Sequence, residues 1–322
     1  MQQSQKEKVF DMHQLVHMAL ILWLKKRGEW AACVDKVISR LKELIPYGGH
    51  ENEEIWTRYL PHAIHVAALD GVDELAMALL LDRVGQCRAT LGQYRAAEET
   101  HRRVFSVREK TLGKEDPLTL ASMNEVGVAL GQQGEYEAAE LIYRQALVVR
   151  KKVLPKNHRD TLMLMNNIAH ALSRQGRYGE AEAMYKQTLM GYTKVLGEEQ
   201  HSTLTSMNNL ASTYRDQGRW CKTEILQLQV METSKRTSGL EHPDTLISIG
   251  NLALKYRKQG RWDEAQELQV QVIEIRKRVP GPEHVSTLGS MLNLASTYYY
   301  KFKKVEVKNY KSYIKVNERN YI

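Results

Sequence analysis

The sequence has few cysteines and no long hydrophobic run, and both absences restrict the class of protein. Cys33, Cys87 and Cys221 are the three cysteines among 322 residues, too few and too far apart for a disulfide framework or a zinc motif. We expect free thiols that serve as small core residues in a reducing compartment. No run approaches eighteen apolar residues, so no transmembrane helix is predicted. Residues 1–10 lack the hydrophobic segment of a signal peptide.

Motifs for nucleotide, metal or nucleophile chemistry are also missing. The single Gly-Lys pair, Gly113-Lys114, is followed by glutamate, so no G-x-x-x-x-G-K-[ST] phosphate loop exists. His13 and His17 have metal-ligand spacing on a helix, but Gln14 stands where a zinc protease requires glutamate. We therefore predict no enzymatic activity, no cofactor and no metal site.

What the chain does contain is an internal repeat of 42 residues. Glycines recur at this interval, at Gly92, Gly134, Gly176, Gly218 and Gly260. Two places after each glycine stands an aromatic residue, namely Tyr94, Tyr136, Tyr178, Trp220 and Trp262. Threonines open the preceding segments at Thr119, Thr161, Thr203, Thr245 and Thr287. A period of this length, sustained over five repeats, indicates a solenoid.

Each repeat is predicted to be a pair of antiparallel helices. In residues 203–220 the apolar side chains Leu204, Met207 and Leu210 fall at spacings of three, which indicates a first helix, A. Gly218 ends this helix because glycine adopts the left-handed conformation without strain, and a second helix, B, follows. One helix pair cannot bury both its faces, so neighbouring pairs must stack. The predicted fold class is an all-α solenoid.

The repeat resembles the tetratricopeptide repeat in its 42-residue, kinesin-light-chain form. The resemblance rests on the Asn-Asn-Leu-Ala, Gln-Gly-Arg-Trp/Tyr and His-Pro-Asp-Thr-Leu motifs and covers residues 74–300. It implies a right-handed superhelix of helix hairpins with a concave inner wall, used for protein interaction. Trp262 is expected to be a core aromatic of helix B, whose replacement with alanine would cost about 3–5 kcal/mol.

Three parts are predicted along the chain. Residues 1–66 form a degenerate helical linker or cap, residues 67–300 form the array, and residues 301–322 form a basic, tyrosine-rich tail. The strings Phe10-Asp-Met-His-Gln-Leu-Val-His17 and Tyr59-Leu-Pro-His62 resemble the segment that joins the ATPase to the repeats in fungal NB-ARC or NACHT receptor-like proteins. This resemblance implies the repeat part of a receptor-like switch without its nucleotide-binding domain.

The composition changes near the C-terminus. Residues 298–322 hold six of the sixteen tyrosines, and six lysines and Arg319 outnumber two glutamates. Phe302 stands where the next turn glycine is due. The segment is either a diverged terminal helix that seals the last repeat or the product of a truncated or shifted reading frame. A strip that binds nucleic acid is the least favoured interpretation.

The tetratricopeptide resemblance also assigns candidate binding residues on the inner face of helix A. The asparagines are Asn124, Asn166, Asn167, Asn208, Asn209, Asn251 and Asn293, joined by His170, Arg174, Arg215, Arg257 and Lys258. In the family such asparagines bond the backbone of an extended peptide, and a carboxamide can serve N–H and C=O together. The cations would favour an acidic ligand or a C-terminal carboxylate. Alternatively, the asparagines bond neighbouring helices and fix the repeat geometry.

The predicted function is a non-enzymatic, cytoplasmic scaffold that binds a peptide or a partner protein. No membrane contact and no nucleic acid are expected, and self-association is left open. The first hypothesis is the sensor part of a fungal NLR-like switch protein. The second is a free-standing cargo adaptor of kinesin-light-chain type, although no heptad coiled coil that would grip a motor chain precedes the repeats.

Overall fold

The computed structural model describes residues 14–46, 52–69, 73–155 and 157–319, with side chains placed for those from 18 to 304. The regular structure in these ranges is helical throughout, with fourteen α-helices, so the predicted all-α class is confirmed. The chain divides into two compact units, Met1–Val153 and Leu154–Ile322. The three-part division at residues 66 and 300 remains a prediction.

Unit 1, Met1–Val153, has helices that pack in chain order. They are α1 (Gln14–Arg27), α2 (Trp30–Leu44), α3 (Glu53–Val66), α4 (Glu74–Thr90), α5 (Tyr94–Leu112), α6 (Pro117–Gln133) and α7 (Tyr136–Val153). The pairs α4–α5 and α6–α7 are repeat hairpins. The helices α2, α3 and α4 share one core that includes Ile38, Trp56 and Val84. The N-terminal helices therefore cover one side of the first hairpin.

Unit 2, Leu154–Ile322, continues the same pattern of packed neighbours. Its helices are α8 (Arg159–Arg174), α9 (Tyr178–Leu196), α10 (His201–Asp216), α11 (Trp220–Ser238), α12 (Pro243–Gln259), α13 (Trp262–Arg278) and α14 (Val285–Arg319). Helix α14 runs without interruption through Phe302 and across the predicted start of the tail at residue 301. The tail's side chains beyond residue 304 lie outside the described part.

The turn glycines behave as predicted. Gly92, Gly134, Gly176, Gly218 and Gly260 have φ between 73° and 88°, a region that strains residues with a Cβ atom. A second series was missed, although it follows the same 42-residue step. Its members are Gly113, Gly197, Gly239 and Gly281, with φ between 86° and 103°.

Two of the recurring threonines bond to glycines of the second series. Thr203 and Thr287 are completely buried, and their hydroxyls donate to the carbonyl oxygens of Gly197 and Gly281, both at 2.8 Å. In these two repeats the threonine fastens the loop after helix B to the next helix A. The recurring Thr119, Thr161 and Thr245 are also completely buried, but their hydroxyls have no hydrogen-bond partner among the described residues.

Trp262, one of the recurring aromatic residues, is less buried than the predicted core position requires. Trp262 is half-buried, because it begins helix B beside the turn, where part of the ring stays in solvent. The buried aromatics stand seven places further along helix B, at Tyr143 and Tyr185, which are 5% and 1% exposed. The predicted cost of Trp262→Ala is therefore too high.

The cysteines differ from one another in burial. Cys87 is buried, and burial raises the pKa of its thiol to about 11. Cys33 is half-buried, whereas Cys221 is exposed, so the expected core position is wrong for Cys221. None of the described helices is long and apolar enough to cross a membrane.

Candidate functional site

Two adjacent clefts open between the helices of unit 2. Cleft A, of about 400 Å³, lies among α10, α11 and α12, and cleft B, of about 190 Å³, lies among α12, α13 and α14. Ile247 and Asn251 line both clefts, so the two meet at α12. Their walls include the apolar side chains Leu204 and Val230 in cleft A and Val272 in cleft B.

Four of the predicted asparagines line these clefts. Asn208, Asn209 and Asn251 line cleft A, and Asn251 and Asn293 line cleft B. Asn208, Asn209 and Asn251 are half-buried, while Asn293 is exposed. None of the four side-chain amides makes a hydrogen bond to another residue in the described part of the chain. Their donors and acceptors are thus directed to solvent or to a ligand.

The remaining asparagines have different surroundings. Asn124, in unit 1, is 6% exposed, and its Nδ2 donates to Oε1 of Glu125 at 3.1 Å. Asn166 and Asn167 are half-buried on α8, and Asn167 has an interaction partner within the protein. Asn124 is therefore buried and bonded within its own helix, and it lines neither cleft A nor cleft B.

The predicted cations lie nearer the C-terminal ends of their helices than the asparagines. They follow asparagines by seven places, as Asn167 with Arg174, Asn208 with Arg215 and Asn251 with Lys258. Seven residues are two helical turns, so each cation lies on the same face, about 10 Å further along. Arg215 is half-buried and pairs with Asp216 at 3.0 Å. His170 is exposed, and partial desolvation followed by the charge of Arg174 lowers its pKa.

No predicted cation lines cleft A or cleft B. The charged residues around cleft A are Glu199, His201 and Asp244, and His201 Nδ1 lies 2.9 Å from Asp244 Oδ2. In cleft B the Arg276 guanidinium is engaged, since it donates to the Ser286 carbonyl and Ser290 Oγ, each at 2.7 Å. Any selection for acidic groups by the cations would act outside the clefts.

Sequence reasoning missed two arginines, each of which fixes one hairpin of unit 2 to the hairpin before it. Arg219 donates to Glu182 at 2.5 Å, and its guanidinium lies 4.4 Å from the ring of Tyr214. Forty-two residues on, Arg261 donates to Glu224 at 3.0 Å and stacks on the next recurring tyrosine. The signal was present, because the Gln-Gly-Arg motif and the glutamate 37 places earlier share the repeat period. These contacts hold the cleft-forming helices in place.

Unit 1 contains a third cleft, of about 280 Å³, with a different lining. Glu125 occupies the repeat position that Asn209 and Asn251 occupy in unit 2. Glu125 and His101 both line this cleft. Burial raises the pKa of Glu125, although the Asn124 amide opposes the change. His101 is 2% exposed, and its Nδ1 lies 3.7 Å from Asp82 Oδ1. This cleft therefore has one carboxyl group in the register of Asn209 and Asn251, beside the amides of Gln86 and Gln132.

His101 makes the stability of unit 1 depend on pH. Burial lowers its pKa, with Asp82 opposing and Arg108 reinforcing the change. A histidine whose folded-state pKa lies below about 6.5 resists protonation, so its contribution to stability is lost as the pH falls below that value. The next repeat has Tyr143 in this place, and each ring rests on a glycine, Gly85 or Gly127, where a Cβ atom would overlap it.

His101→Tyr is therefore expected to remove this dependence while preserving the packing. Between pH 7 and 5.5 the unchanged protein should lose more stability than the variant, by up to about 1 kcal/mol. Urea unfolding of both proteins at the two pH values measures the two losses of unfolding free energy. Both proteins contain Glu125, so its titration cancels when one loss is subtracted from the other. Equal losses in the two proteins would contradict the assignment to His101.

Comparisons with known proteins agree with the repeat architecture. A family model described as tetratricopeptide repeat matches residues 74–152, 160–222, 202–276 and 244–306. A nucleotide-binding leucine-rich repeat (NLR)-like protein of Hyaloscypha variabilis is 40% identical over 118 residues, which are 36% of this chain and 12% of that protein. The matched segment thus spans about an eighth of that relative's length.

Solved structures with the same fold include repeats of kinesin-light-chain type. The TPR-like repeats of kinesin-light-chain type from Podosopora anserina are 28% identical to this chain. The match covers 65% of this chain and 98% of that one, with a TM-score of 0.55. NprR, solved in complex with its cognate peptide NprX, is 14% identical over 95% of this chain and 84% of its own, with a TM-score of 0.58.

The predicted resemblances to kinesin-light-chain repeats and to a fungal NLR-like protein are confirmed by these matches. The repeat model covers more than half of the chain. The chain belongs to the tetratricopeptide repeat family.

Proposed function

We propose that unit 2 binds an extended segment of a partner protein across clefts A and B. A tetratricopeptide array is a scaffold suited to protein–protein interaction. The observation that carries the proposal is the set of four asparagine amides, Asn208, Asn209, Asn251 and Asn293, that line two adjoining clefts without hydrogen bonds to described residues. Polar groups with both a donor and an acceptor, placed over apolar walls, match the chemistry of a peptide chain.

The binding mode follows from the groups in the clefts. An extended peptide advances about 3.3 Å per residue, and its N–H and C=O groups would bond to Asn209 and Asn251 from the two sides of cleft A. Alternate side chains of the peptide would enter the clefts against Leu204 and Val272. Acidic side chains further along would reach Lys258, which follows Asn251 by two turns on the same helix face.

The wider role proposed is the repeat, ligand-sensing part of an NLR-like switch protein, cytoplasmic and without catalytic activity of its own. The 40% identity to the NLR-like protein supports it, and NprR supports peptide binding as a use of this fold. The second candidate is a cargo adaptor, favoured by the likeness to the kinesin-light-chain repeats. The captured partner separates the two, since an adaptor would bind a transported cargo protein.

Replacing Asn209 and Asn251 together with alanine should weaken peptide binding roughly 30- to 100-fold, because two backbone hydrogen bonds are lost. Binders would be selected from a displayed library of random peptides and measured by fluorescence anisotropy against the whole chain. Gln229→Ala is the matched control, since this exposed glutamine on α11 loses the same amide group outside the clefts.

Two outcomes would count against the proposal. If the double variant unfolds at a much lower temperature than the unchanged protein, the asparagines hold the repeats together and do not serve a ligand. If selected peptides bind both variants equally, the clefts are not the binding site. Acidic, neutral and basic members of the selected set then test the cations, because binding that depends on Lys258 must weaken with salt.

A further inference from the structure

Helix α14 leaves uncovered the face on which helix B packs in the earlier repeats. In α12, Leu246 and Ala253 are 4% and 0% exposed, and Leu246 shares a core with Val272 of α13. Their counterparts 42 residues on are Leu288, which is 52% exposed, and Ala295, which is also exposed. Because Phe302 replaces the turn glycine, the helix continues where the others turn back. No helix B follows α14 among the described residues.

The uncovered face has the spacing of a helix-pairing seam. Its residues recur at alternating intervals of three and four, as in a coiled coil. We define the α14 seam as Val285, Leu288, Leu292, Ala295, Tyr299 and Phe302. Its five large side chains are between 52% and 76% exposed. The opposite face holds the buried Thr287, Ser290 and Thr297, and it packs on α13 through the bond from Arg276 to Ser290.

The seam is complementary to itself when two copies run in opposite directions. The intervals between its residues, which are 3, 4, 3, 4 and 3, are the same in either direction along the helix. In an antiparallel pair, each seam residue of one copy therefore lies opposite a seam residue of the other. The opposed residues are then Val285 with Phe302, Leu288 with Tyr299 and Leu292 with Ala295. A large side chain meets a smaller one at both the centre and the ends, which lets two helices interdigitate.

Charge also favours the antiparallel arrangement. Lys301 pairs with Asp263 at 2.5 Å, and Lys304 lies 5.9 Å from the ring of Trp262, so both ammonium groups are directed toward α13. Lys303 stays beside Tyr299. In the antiparallel pair Lys303 approaches the exposed Glu283 of the second copy. A parallel pair would bring the lysines that follow the seam in the two copies of α14 together.

We propose that a second copy of this chain covers the α14 seam, giving an antiparallel, two-fold symmetric dimer. At about 150–250 Å² per aromatic side chain, and less for Val285 and the two leucines, full burial of the exposed fractions would remove at most roughly 650 Å² per copy. A pair would then bury up to about 1,300 Å², which reaches the low end of the roughly 1,200–2,000 Å² of a specific interface. The contact is isologous, so it closes at two copies and does not propagate.

The test is the concentration dependence of mass for the whole chain, by sedimentation velocity over roughly 1–100 μM. The unchanged protein is expected to dimerise in this range, and Leu292→Glu should weaken association at least about 100-fold. Leu141→Glu is the matched control, because Leu141 is 58% exposed on α7 of unit 1. It should leave the dimer intact, and circular dichroism should be the same for all three proteins.

Directed crosslinking tests the orientation in a Cys221→Ser background. A copy carrying Leu292→Cys should form a disulfide with a copy carrying Ala295→Cys, in preference to disulfides between identical copies. A monomer at every concentration would overturn the proposal, as would a dimer that survives Leu292→Glu. Preferred crosslinks between identical Leu292→Cys copies would overturn the antiparallel arrangement. Peptide binding by the monomeric variant would be unaffected, since the seam lies outside clefts A and B.

Discussion

Trp56→Ala is expected to lower the free energy of unfolding of unit 1 by about 3–5 kcal/mol. Trp56 is 1% exposed and lies in the core shared by α2, α3 and α4. Its Nε1 also donates to the carbonyl oxygen of Pro46 at 3.1 Å. Removing the indole leaves a cavity among three helices and an acceptor without its donor. The loss should therefore detach the N-terminal helices from the first hairpin.

Hydrogen exchange with peptide resolution is the suitable measurement, because repeat proteins open locally and not in one step. Amides of α2, α3 and α4 should exchange faster in Trp56→Ala, while those of α10 to α13 should not change. Trp262→Ala is the control, since the same ring is half-buried at a helix start, and it should cost less than half as much. Equal losses in the two variants would mean that burial does not set the cost.

Glu224→Ala is expected to destabilise unit 2 by about 3–5 kcal/mol, because it strands a buried charge. Lys255 is completely buried, its Nζ pairs with Glu224, and it lies 4.6 Å from the ring centre of Tyr256. Burial lowers the pKa of Lys255, with Glu224 opposing the change. Without the carboxylate the ammonium must lose its proton or be exposed. The variant should therefore regain stability as the pH rises toward the ordinary lysine pKa of about 10.4.

Lys255→Met removes the other partner of the same ion pair and is the control for Glu224→Ala. Methionine keeps the apolar stem, and Glu224 retains its bond from Arg261 at 3.0 Å, so this variant should lose less than about 1 kcal/mol. Urea unfolding of the two variants at pH 7 and 9.5 measures both the size and the pH dependence. Similar losses from both substitutions, independent of pH, would show that Lys255 is not a buried charge in need of its partner.

The repeat period could be predicted from the sequence because each turn requires a residue with positive φ, which few residue types adopt without strain. Glycine at Gly218 and its equivalents is required by positive φ, and the buried Thr203 and Thr287 bond to the loops before them. Asn209 and Asn251 were assigned from the resemblance to the tetratricopeptide repeat, and both line cleft A. Their role as ligand-binding residues remains a prediction.

Other features depend on how deep a side chain sits, which spacing does not reveal. Trp262 and Tyr185 both belong to helix B, yet the first is half-buried and the second is 1% exposed, because one stands at the turn and the other between two hairpins. Cys221 was expected in the core and is exposed. Its neighbour Thr223 fills the buried small-residue position, with its hydroxyl 3.3 Å from the Ala211 carbonyl oxygen.

The sequence by itself determined the helical class and the 42-residue hairpin, because helical periodicity and turn chemistry are local properties. The tertiary structure decided which amides have no partner, which charge is buried at Lys255, and that the α14 seam is left uncovered. Each of these depends on side chains distant in sequence, such as Glu224 with Lys255 or α13 with α14. Helical periodicity within one repeat does not show such pairings, since they form only when hairpins stack.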